Sequence, residues 1–487
     1  MELRGQRQDK SITWGDLLFL MVLSFGICLF YYPRLSHPTW EMYDSWRQSD
    51  TLAMARNMLK TGNFFKPMLN YDGLKGNYVQ LELPILPALT CLLLPTGLDI
   101  HYLARAISMV FYLASCIYFY LLANQLFSKG ASRFASLFYV LAPLTLKYGR
   151  AIMPESLVLC FFIASLYHLY RFHESGSLVQ FYLTGIFTSL TILQKIPGAF
   201  TGLLILYVVF KKWGFKKTFK SSHTYIFGLI SLGLPLLYFY QASQNSTTNY
   251  VNGIASLGIF GSKDLRAFFL GGLDFLRASY KTTFSPVLLV LAGLGLLLAL
   301  YHRKDFLLGL FLAYSLELVF IVFSIKFQYY MVFHVVVLAL LAGEYFNYFS
   351  YSKYKFITFI CSLLVLVHGY YGIKDYLAMT KVNEKLDREI HALQEKEYLK
   401  DKVAINGANP IYLNGILSYG YRADVPQIRD YPWEPEAQIA FFKDQGVRYY
   451  VSIKDQARED YDRYYMDRFQ VIDQGPDFSI YDLERQK

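Results

Sequence analysis

Long apolar runs separated by short polar loops dominate the first three quarters of the sequence. A helix needs about 20 predominantly apolar residues to cross a bilayer, within a range of roughly 17–25. Because only helices and closed barrels satisfy their backbone hydrogen bonds in lipid, such runs predict transmembrane helices. The chain is 17% charged, whereas soluble domains carry about 25% charged residues. We therefore predict an all-α polytopic membrane bundle.

Apolar runs of suitable length and composition give a predicted count of about eleven spans. The longer runs are Leu17–Tyr32, Ala106–Phe127, Ser156–Tyr170, Ile226–Tyr240, Val287–Tyr301, Phe306–Ile325, Tyr330–Phe346 and Phe356–Tyr371. The shorter ones, which border charged residues, are Phe134–Leu146, Phe181–Leu193 and Ile196–Phe210.

Lysine and arginine residues concentrate in alternate loops of this topology, which indicates its orientation because cytoplasmic loops carry the excess of basic residues. Examples in the predicted inside loops are Arg4, Arg7, Lys10, Lys129, Arg133, Arg171, Lys211, Lys212, Arg303 and Lys304. We predict a multi-pass protein of the cell (inner or plasma) membrane, with a cytoplasmic N-terminus and an extracytoplasmic C-terminal domain. The net charge of +10 is explained by these loops, so we predict no nucleic-acid partner.

The last part of the chain has the composition of a soluble domain, and we place the boundary between residues 1–373, the membrane domain, and residues 374–487. Strand-like runs lie at Val403–Asn406, Val447–Ile453 and Phe469–Ile472, and a helical stretch, Glu434–Gln445, precedes the second. This pattern predicts a small α/β domain.

The first outer loop, Pro33–His101, contains two segments typical of interfacial helices. Asp50–Lys60 places Leu52, Ala55, Met58 and Leu59 on one face, as expected for a helix at a bilayer surface. Leu83–Pro95 is apolar but too short to cross the membrane.

Acidic side chains at the predicted outer face are the first candidates for chemistry, because charge is costly near the membrane. Asp44 and Asp50 lie in YDSWRQSDT, Glu82 in LELPILP and Glu155 in IMPESL. The predicted topology places these three stretches at a similar depth. Converging carboxylates suit inverting sugar transfer: one acts as general base, and another orients it or holds a divalent cation. Asp44 and Glu82 are the candidate cation ligands.

Each acid also has a structural alternative. Asp50 could cap the helix that follows it, and Asp44 could be an ordinary loop residue. Glu155 follows Pro154 and could be the first-turn acid of its helix. Glu82, between two leucines and before two prolines, is harder to explain structurally.

Basic side chains at the predicted outer face form a second group of candidates. They are Lys147 and Arg150 in LKYGRAIMPE, Lys195 in LQKIPG and Lys326 in IKFQYY. A lipid phosphate would explain cations at this depth, since Lys and Arg bind phosphate through charge-assisted hydrogen bonds. The alternative is that they extend to the interface as many membrane lysines do.

Three further residues could contact a donor phosphate or sugar. Tyr330 and His334 are four residues apart and share a helix face, although an aromatic belt is an alternative explanation. Arg47 could pair with a neighbouring acid or contact the phosphate.

These motifs together resemble the C-type glycosyltransferase superfamily, especially the lipid A aminoarabinose transferases and the protein O-mannosyltransferases. The resemblance covers the first 200 residues. It rests on the acidic first loop (YDSWRQSDTLAMARNMLKTGNFFKP), the Glu-x-Pro turn (ELPILP), the step into the second span (GLDIHYLARAISM), the acid in RAIMPES and the lysine in LQKIPG.

The resemblance implies a helical bundle with two interfacial helices in its first outer loop, a polyprenyl-phosphate-linked sugar as donor and inversion at the anomeric centre. It carries the first-loop acid over to Asp44 or Asp50, the turn acid to Glu82, the acid before the fourth span to Glu155 and the donor-phosphate lysine to Lys195. Two departures stand out: Trp46, Arg47 and Gln48 lie between the two first-loop acids, and Leu83 replaces the usual turn lysine. A phosphate contact must then come from Arg150 or Lys147.

We therefore expect a glycosyltransferase that transfers a hexose or a pentose to a glycolipid, glycan or protein at the outer membrane face, surrounded by membrane lipid and without a cofactor beyond the candidate cation. The alternatives are a secondary transporter, which usually has internal repeats and mid-bilayer ionisable residues, and a polysaccharide polymerase or ligase.

Overall fold

The computed structural model describes residues 11–69, 78–79, 81–245, 264–350, 355–399, 403–406, 435–444, 446–453, 459–476 and 478–487. Most of these residues are helical. The α-helices are α1 (Trp14–Tyr31), α2 (Ser45–Thr61), α3 (Ile85–Leu93), α4 (Ile100–Leu126), α5 (Lys129–Val140), α6 (Pro143–Tyr148), α7 (Glu155–Ser175), α8 (Leu178–Gln194), α9 (Thr201–Trp213), α10 (Phe215–Lys220), α11 (Ser222–Gly228), α12 (Leu234–Asn245), α13 (Leu265–Thr283), α14 (Pro286–Tyr301), α15 (Asp305–Glu317), α16 (Phe323–Ile325), α17 (Val332–Ser350), α18 (Lys355–Met379), α19 (Glu384–Gln394), α20 (Pro435–Asp444) and α21 (Glu459–Arg468). The strands are β1 (Val403–Asn406), β2 (Tyr449–Ile453), β3 (Phe469–Gln474) and β4 (Phe478–Gln486).

Six helical segments in the described part of the chain are long and apolar enough to cross a membrane. They are Trp14–Arg34, Ile100–Leu126, Ile196–Trp213, Ser222–Asn245, Asp305–Ile325 and Gln328–Phe349. The pair α13 and α14, bent by 109°, makes a seventh if it is one span. The prediction of a multi-pass helical membrane protein is confirmed. The count of eleven stays a prediction, although the other predicted spans do coincide largely with helices α5 to α8 and α18.

The described chain forms two compact units, each made of segments that are distant in sequence. The first comprises Met1–Leu35, Arg105–Tyr238 and Ser256–Met379, and contains most of the apolar helices. The second comprises Ser36–Ala104, Phe239–Ala255 and Thr380–Lys487. It therefore includes both the first predicted outer loop and the C-terminal strands. The predicted boundary between residues 373 and 374 stays a prediction.

Close backbone contact between helices holds the first unit together. At Gly295 on α14, an added Cβ atom would lie 1.8 Å from the carbonyl oxygen of Leu341 on α17. Small residues allow such an approach, which is how helices without a hydrophobic driving force gain packing contacts in lipid. Gly295 therefore marks the point where α14 and α17 touch.

Gly295→Ala is expected to lower the melting temperature of the purified protein, because the methyl group must push α14 away from α17. Overpacking of this kind costs about 1–3 kcal/mol, and more where backbone is the obstacle. Gly293→Ala is the matched control, since a Cβ atom there meets nothing within 4 Å and alanine favours the helix by roughly 0.5–1 kcal/mol. Equal melting temperatures for the two variants would contradict this packing.

The second unit contains a four-stranded sheet with the order β1-β2-β4-β3. Strand β1 pairs in parallel with β2, while β4 is antiparallel to both β2 and β3. One face of the sheet packs on α20 and α21, and in that core the rings of Tyr450 and Tyr465 stack with centroids 3.8 Å apart. The three predicted strands and the predicted helix are confirmed within a few residues, and β4 is an addition.

Helix α2 differs from the predicted surface helix. It begins at Ser45 rather than Asp50, and its residues from Arg47 to Ala55 are buried on every face. The cause is a hydrophobic cluster in which Ala53 and Met54 pack with Trp40, Leu386 and Ile390. The interpretation of Asp50 as a helix cap is therefore wrong, because Asp50 lies more than one turn inside α2.

Candidate active site

In the first unit, Glu155 and Lys195 form an ion pair between the N-terminus of α7 and the C-terminus of α8. Glu155 is the first residue of α7, where the helix dipole favours a negative charge. Lys195 directly follows α8 in extended conformation. Its ammonium group donates a hydrogen bond to Glu155 Oε1, and the two side chains are only 4% and 1% exposed. Two residues predicted for catalysis and phosphate binding are thus brought together.

Two tyrosine rings complete the surroundings of Lys195. They lie in the 3₁₀ turn Gln328–Met331 that precedes α17. The ammonium nitrogen lies 4.4 Å from the ring centroid of Tyr329 and 4.5 Å from that of Tyr330. Aromatic faces attract a cation at this distance, by up to about 2 kcal/mol when it is desolvated. The predicted association of Tyr330 with the basic group therefore has a geometric basis.

The other predicted phosphate ligands of this unit make contacts within the protein. Lys147 Nζ donates to Gln328 Oε1 at 3.0 Å and lies 3.6 Å from Asp375 Oδ2. Arg150 is fully buried, and its guanidinium donates to Tyr376 Oη at 2.8 Å and to the carbonyl of Arg34 at 3.0 Å.

Lys326 is exposed and adopts a left-handed backbone conformation with φ of 58°. The hydrogen bonds of Arg150 to Tyr376 and to the carbonyl of Arg34 favour a structural role for Arg150. Lys147, in contrast, lies beside the turn that carries Tyr329 and Tyr330.

A buried carboxylate that the sequence analysis missed lies in the same unit. Glu317 ends α15, is 0% exposed and forms no hydrogen bond within the described residues. Its Oε2 lies 3.3 Å from His334 Nε2, which donates to the carbonyl of Tyr314 at 2.9 Å. Lys195 is near enough for its charge to act on Glu317. A π-helical turn, Leu318–Val322, follows directly, and such turns are frequent at functional sites.

His334 therefore contacts Glu317 and Tyr314 inside the bundle, and its predicted contact with a donor phosphate stays a prediction. The sequence signal for Glu317 was available: a single glutamate interrupts the apolar run SLELVF. An acid inside a membrane span is a functional candidate by default because its burial is costly.

In the second unit, Asp44 occupies a strained backbone position directly before α2. Its φ of 40° and ψ of 30° lie in the left-handed region, which costs roughly 1–2 kcal/mol for a residue with a Cβ atom, though aspartate and asparagine tolerate it better than most. Strain of this kind clusters at active sites. Asp44 does not cap α2 with its side chain, and it remains partly accessible.

Arg47 and Glu82 form an ion pair within this unit. Arg47 lies in the first turn of α2 and is 9% exposed in its side chain, whereas Glu82 is 27% exposed. Arg47 Nη2 donates a hydrogen bond to Glu82 Oε2. Of the two roles predicted for Arg47, the pairing with an acid is the one the structure contains. Asp50 is 2% exposed in the interior of α2.

The four predicted acids are thus divided between the units, with Asp44, Asp50 and Glu82 in the second and Glu155 in the first. Their convergence stays a prediction. Within the described residues, no group of three or more His, Cys, Asp or Glu side chains could hold a metal ion. Asp44 and Glu82 do not belong to such a group in this part of the chain, and their role as cation ligands stays a prediction.

Comparison with known proteins places this geometry in a known fold. Residues 99–239 match the family model described as dolichyl-phosphate-mannose-protein mannosyltransferase. A search of curated proteins found no significant match. ArnT from Cupriavidus metallidurans, solved bound to undecaprenyl phosphate, superposes with a TM-score of 0.62 at 12% identity, over 97% of this chain and 98% of that one. The chain has the C-type glycosyltransferase fold.

A second solved structure is also similar in fold to this chain. The oligosaccharyltransferase AglB from Archaeoglobus fulgidus, solved with an inhibitory peptide and a dolichol-phosphate, superposes with a TM-score of 0.55 at 12% identity. The alignment covers 94% of this chain and 73% of AglB. The family resemblance predicted from the sequence is confirmed, and at this level of identity the solved structures establish the fold alone.

Proposed function

We propose that this chain is an integral-membrane glycosyltransferase that moves a hexose or a pentose from a polyprenyl-phosphate donor to an acceptor, with inversion of the anomeric centre. The observation that carries the proposal is the buried ion pair of Lys195 and Glu155, with the rings of Tyr329 and Tyr330 against the ammonium group. A chain of the same fold was solved with a polyprenyl phosphate bound. That chain and this one are similar in fold over nearly their whole lengths, which supports a similar class of donor.

In this proposal, Lys195 and Tyr330 bind the donor phosphate. An ammonium group has three N–H donors and a phenol has one, and within the described residues Glu155 accepts the one hydrogen bond from Lys195. Glu155 holds the lysine in place through this hydrogen bond. Lys147, beside the same turn, is a further candidate for the phosphate.

Asp44 is the proposed general base. It removes the proton from an acceptor hydroxyl or amine as the acceptor atom forms a bond to the anomeric carbon. The bond between that carbon and the phosphate oxygen breaks, and the polyprenyl phosphate leaves with the electron pair. Charge-assisted hydrogen bonds from Lys195 stabilise the leaving phosphate. Arg47 and Glu82, as an ion pair, position the loop that precedes α3.

The proposal also places the N-terminus in the cytoplasm and the C-terminal residues outside the cell membrane. It is supported by the basic loops, since Lys211 and Lys212 end a predicted span and more lysines follow. Reporter fusions at the two termini test this orientation.

Transfer is tested with the full-length protein and undecaprenyl- or dolichyl-phosphate donors carrying a labelled hexose or pentose, with membranes of the native cell as the acceptor source. The expected result is protein-dependent movement of label to a new product together with release of polyprenyl phosphate. Proteoliposomes that accumulate a solute while every donor stays intact would contradict the proposal and favour a transporter.

A further inference from the structure

The second unit contains a cavity of about 360 Å³ that the proposed reaction does not use. It lies between one face of α2, which contributes Arg56, and one face of α19, which contributes Asp387 and His391. Trp40 and His101 line its other sides. Its volume is within the range of small-molecule sites, which is about 300–1,000 Å³. Of the candidate catalytic acids, none belongs to its lining.

Arg56 gives the cavity a guanidinium group whose hydrogen-bond donors are not used by the described residues. Within the described residues, its guanidinium makes no hydrogen bond or ion pair, and its one electrostatic partner is Asp99. Asp99 is itself engaged by His101, and a hydrogen bond from that imidazole lowers the pKa of Asp99 to about 2. Burial lowers the pKa of the Arg56 guanidinium, so the group lacks part of its hydration. An anion entering the cavity would restore the missing interactions.

The aromatic wall of the cavity is fixed in place. Trp40 Nε1 donates to Asp387 Oδ1 at 2.7 Å, and the Trp40 carbonyl accepts from the backbone N–H of Asn383 at 2.9 Å. The imidazoles of His101 and His391 stand perpendicular to the indole, with ring centroids 6.3 Å and 6.4 Å away. Rigid walls reduce the ordering cost of binding.

Asp387 adds an acceptor for hydroxyl groups. Its side chain is 35% exposed, and an ionised carboxylate accepts hydrogen bonds through both oxygens, of which Oδ1 is engaged by Trp40. Anion binding alone does not explain a carboxylate in the wall, because it would repel the ligand. A cation, a carboxylate and an aromatic ring in one small cavity match a molecule with an anionic group, hydroxyl groups and an apolar ring face.

We propose that this cavity binds a monosaccharide that carries a phosphate or a carboxylate, with its anionic group on Arg56 and its ring hydroxyls on Asp387. The proposal goes beyond the proposed transfer reaction and does not depend on it, since binding can be measured without donor or acceptor turnover.

The test is calorimetric titration of the full-length protein in detergent with glucose 6-phosphate, glucuronic acid, glucose and inorganic phosphate. We expect both anionic sugars to bind more tightly than glucose and than inorganic phosphate. Arg56→Gln is expected to weaken the binding of the two anionic sugars by about 10- to 100-fold, the range for hydrogen bonds to charged groups. The affinity of Arg56→Lys should lie between those of the unchanged protein and of Arg56→Gln, because lysine keeps the charge and loses the planar, bidentate guanidinium. Asp387→Asn should weaken the binding of the sugars and leave the binding of inorganic phosphate unchanged.

Lys60→Gln is the matched control, because Lys60 lies on the same helix, is exposed and loses the same charge. It should bind all four probes as the unchanged protein does. Glucose binding as tightly as glucose 6-phosphate would overturn the anion assignment, and inorganic phosphate binding as tightly would overturn the sugar assignment. An equal loss of affinity in Lys60→Gln and Arg56→Gln would show that the anionic sugars do not bind in the cavity. If Arg56→Gln fails to fold, the Arg56→Lys and Asp387→Asn results decide.

Discussion

Lys195→Met is expected to abolish measurable transfer and to lower the melting temperature strongly. The substitution leaves Glu155 as a buried carboxylate without its cation, because both side chains are almost fully enclosed. Removing one partner of a buried ion pair costs about 3–5 kcal/mol. The stabilisation of the leaving phosphate is lost as well, and removing one such donor slows a reaction by about 10²- to 10³-fold.

Glu155→Gln is expected to lower the melting temperature less than Lys195→Met does. Lys195 remains within 4.5 Å of the ring centroids of Tyr329 and Tyr330, and such contacts supply about 2 kcal/mol to a desolvated cation. The amide of glutamine can still accept a hydrogen bond from the ammonium group. Transfer should fall less than in Lys195→Met, since the cation proposed to hold the phosphate is still present.

The double variant Glu155→Gln/Lys195→Met separates stability from function. With both charges removed, neither position leaves a buried charge without its partner, and neutral replacements of a buried pair are often as stable as the pair. We expect the melting temperature to recover most of the loss and transfer to stay absent. Thermal unfolding and product formation are measured on the same preparations.

Lys211→Met provides the control for losing a lysine from an ion pair. Lys211 Nζ lies 2.5 Å from Asp305 Oδ2, but both side chains are nearly half exposed. Exposed pairs contribute about 0–1 kcal/mol, so neither stability nor transfer should change much. Transfer at the normal rate by the double variant would remove Lys195 from phosphate binding, and an unchanged melting temperature in Lys195→Met would contradict the buried pair.

The helices and strands were largely predictable because their signals are local. The apolar run Ser156–Tyr170 lies within α7, and β1 has the predicted bounds Val403–Asn406. Apolar length and residue alternation report burial in lipid or in a sheet without knowledge of the partner element. Helix α2 shows the limit: its start at Ser45 depends on packing against segments far along the chain, which overrides the local capping signal at Asp50.

The candidate site was predictable only as a set of unusual residues. A carboxylate or an ammonium group at the membrane surface stands out in the sequence because burial is costly. The partner of such a group cannot be identified from the sequence, because Glu155 and Lys195 are 40 residues apart and Arg47 and Glu82 are 35 apart. The contact of Glu317 with His334, and the left-handed backbone of Asp44, arise from tertiary packing and leave no periodic signal.

Asp44→Asn is expected to lower kcat by about 10²- to 10⁴-fold, the usual contribution of a positioned general base. Asparagine is the sharpest replacement, because it adopts the left-handed conformation as readily as aspartate. The backbone before α2 should keep its φ of 40°, and the variant loses only the ability to take a proton. Its melting temperature should match that of the unchanged protein, which thermal unfolding measures beside kcat.

Asp50→Asn is the matched comparison, with the same chemical change six positions later. Asp50 is 2% exposed inside α2, where buried polar groups depend on their hydrogen-bond partners, so this variant should lose stability more than rate. Asp44→Gly adds a second test, since glycine relieves the strain at φ of 40° and still lacks the carboxylate; it should be as inactive as Asp44→Asn. If Asp50→Asn loses the rate while Asp44→Asn keeps it, the base is Asp50, and the strained position of Asp44 serves only to start the helix.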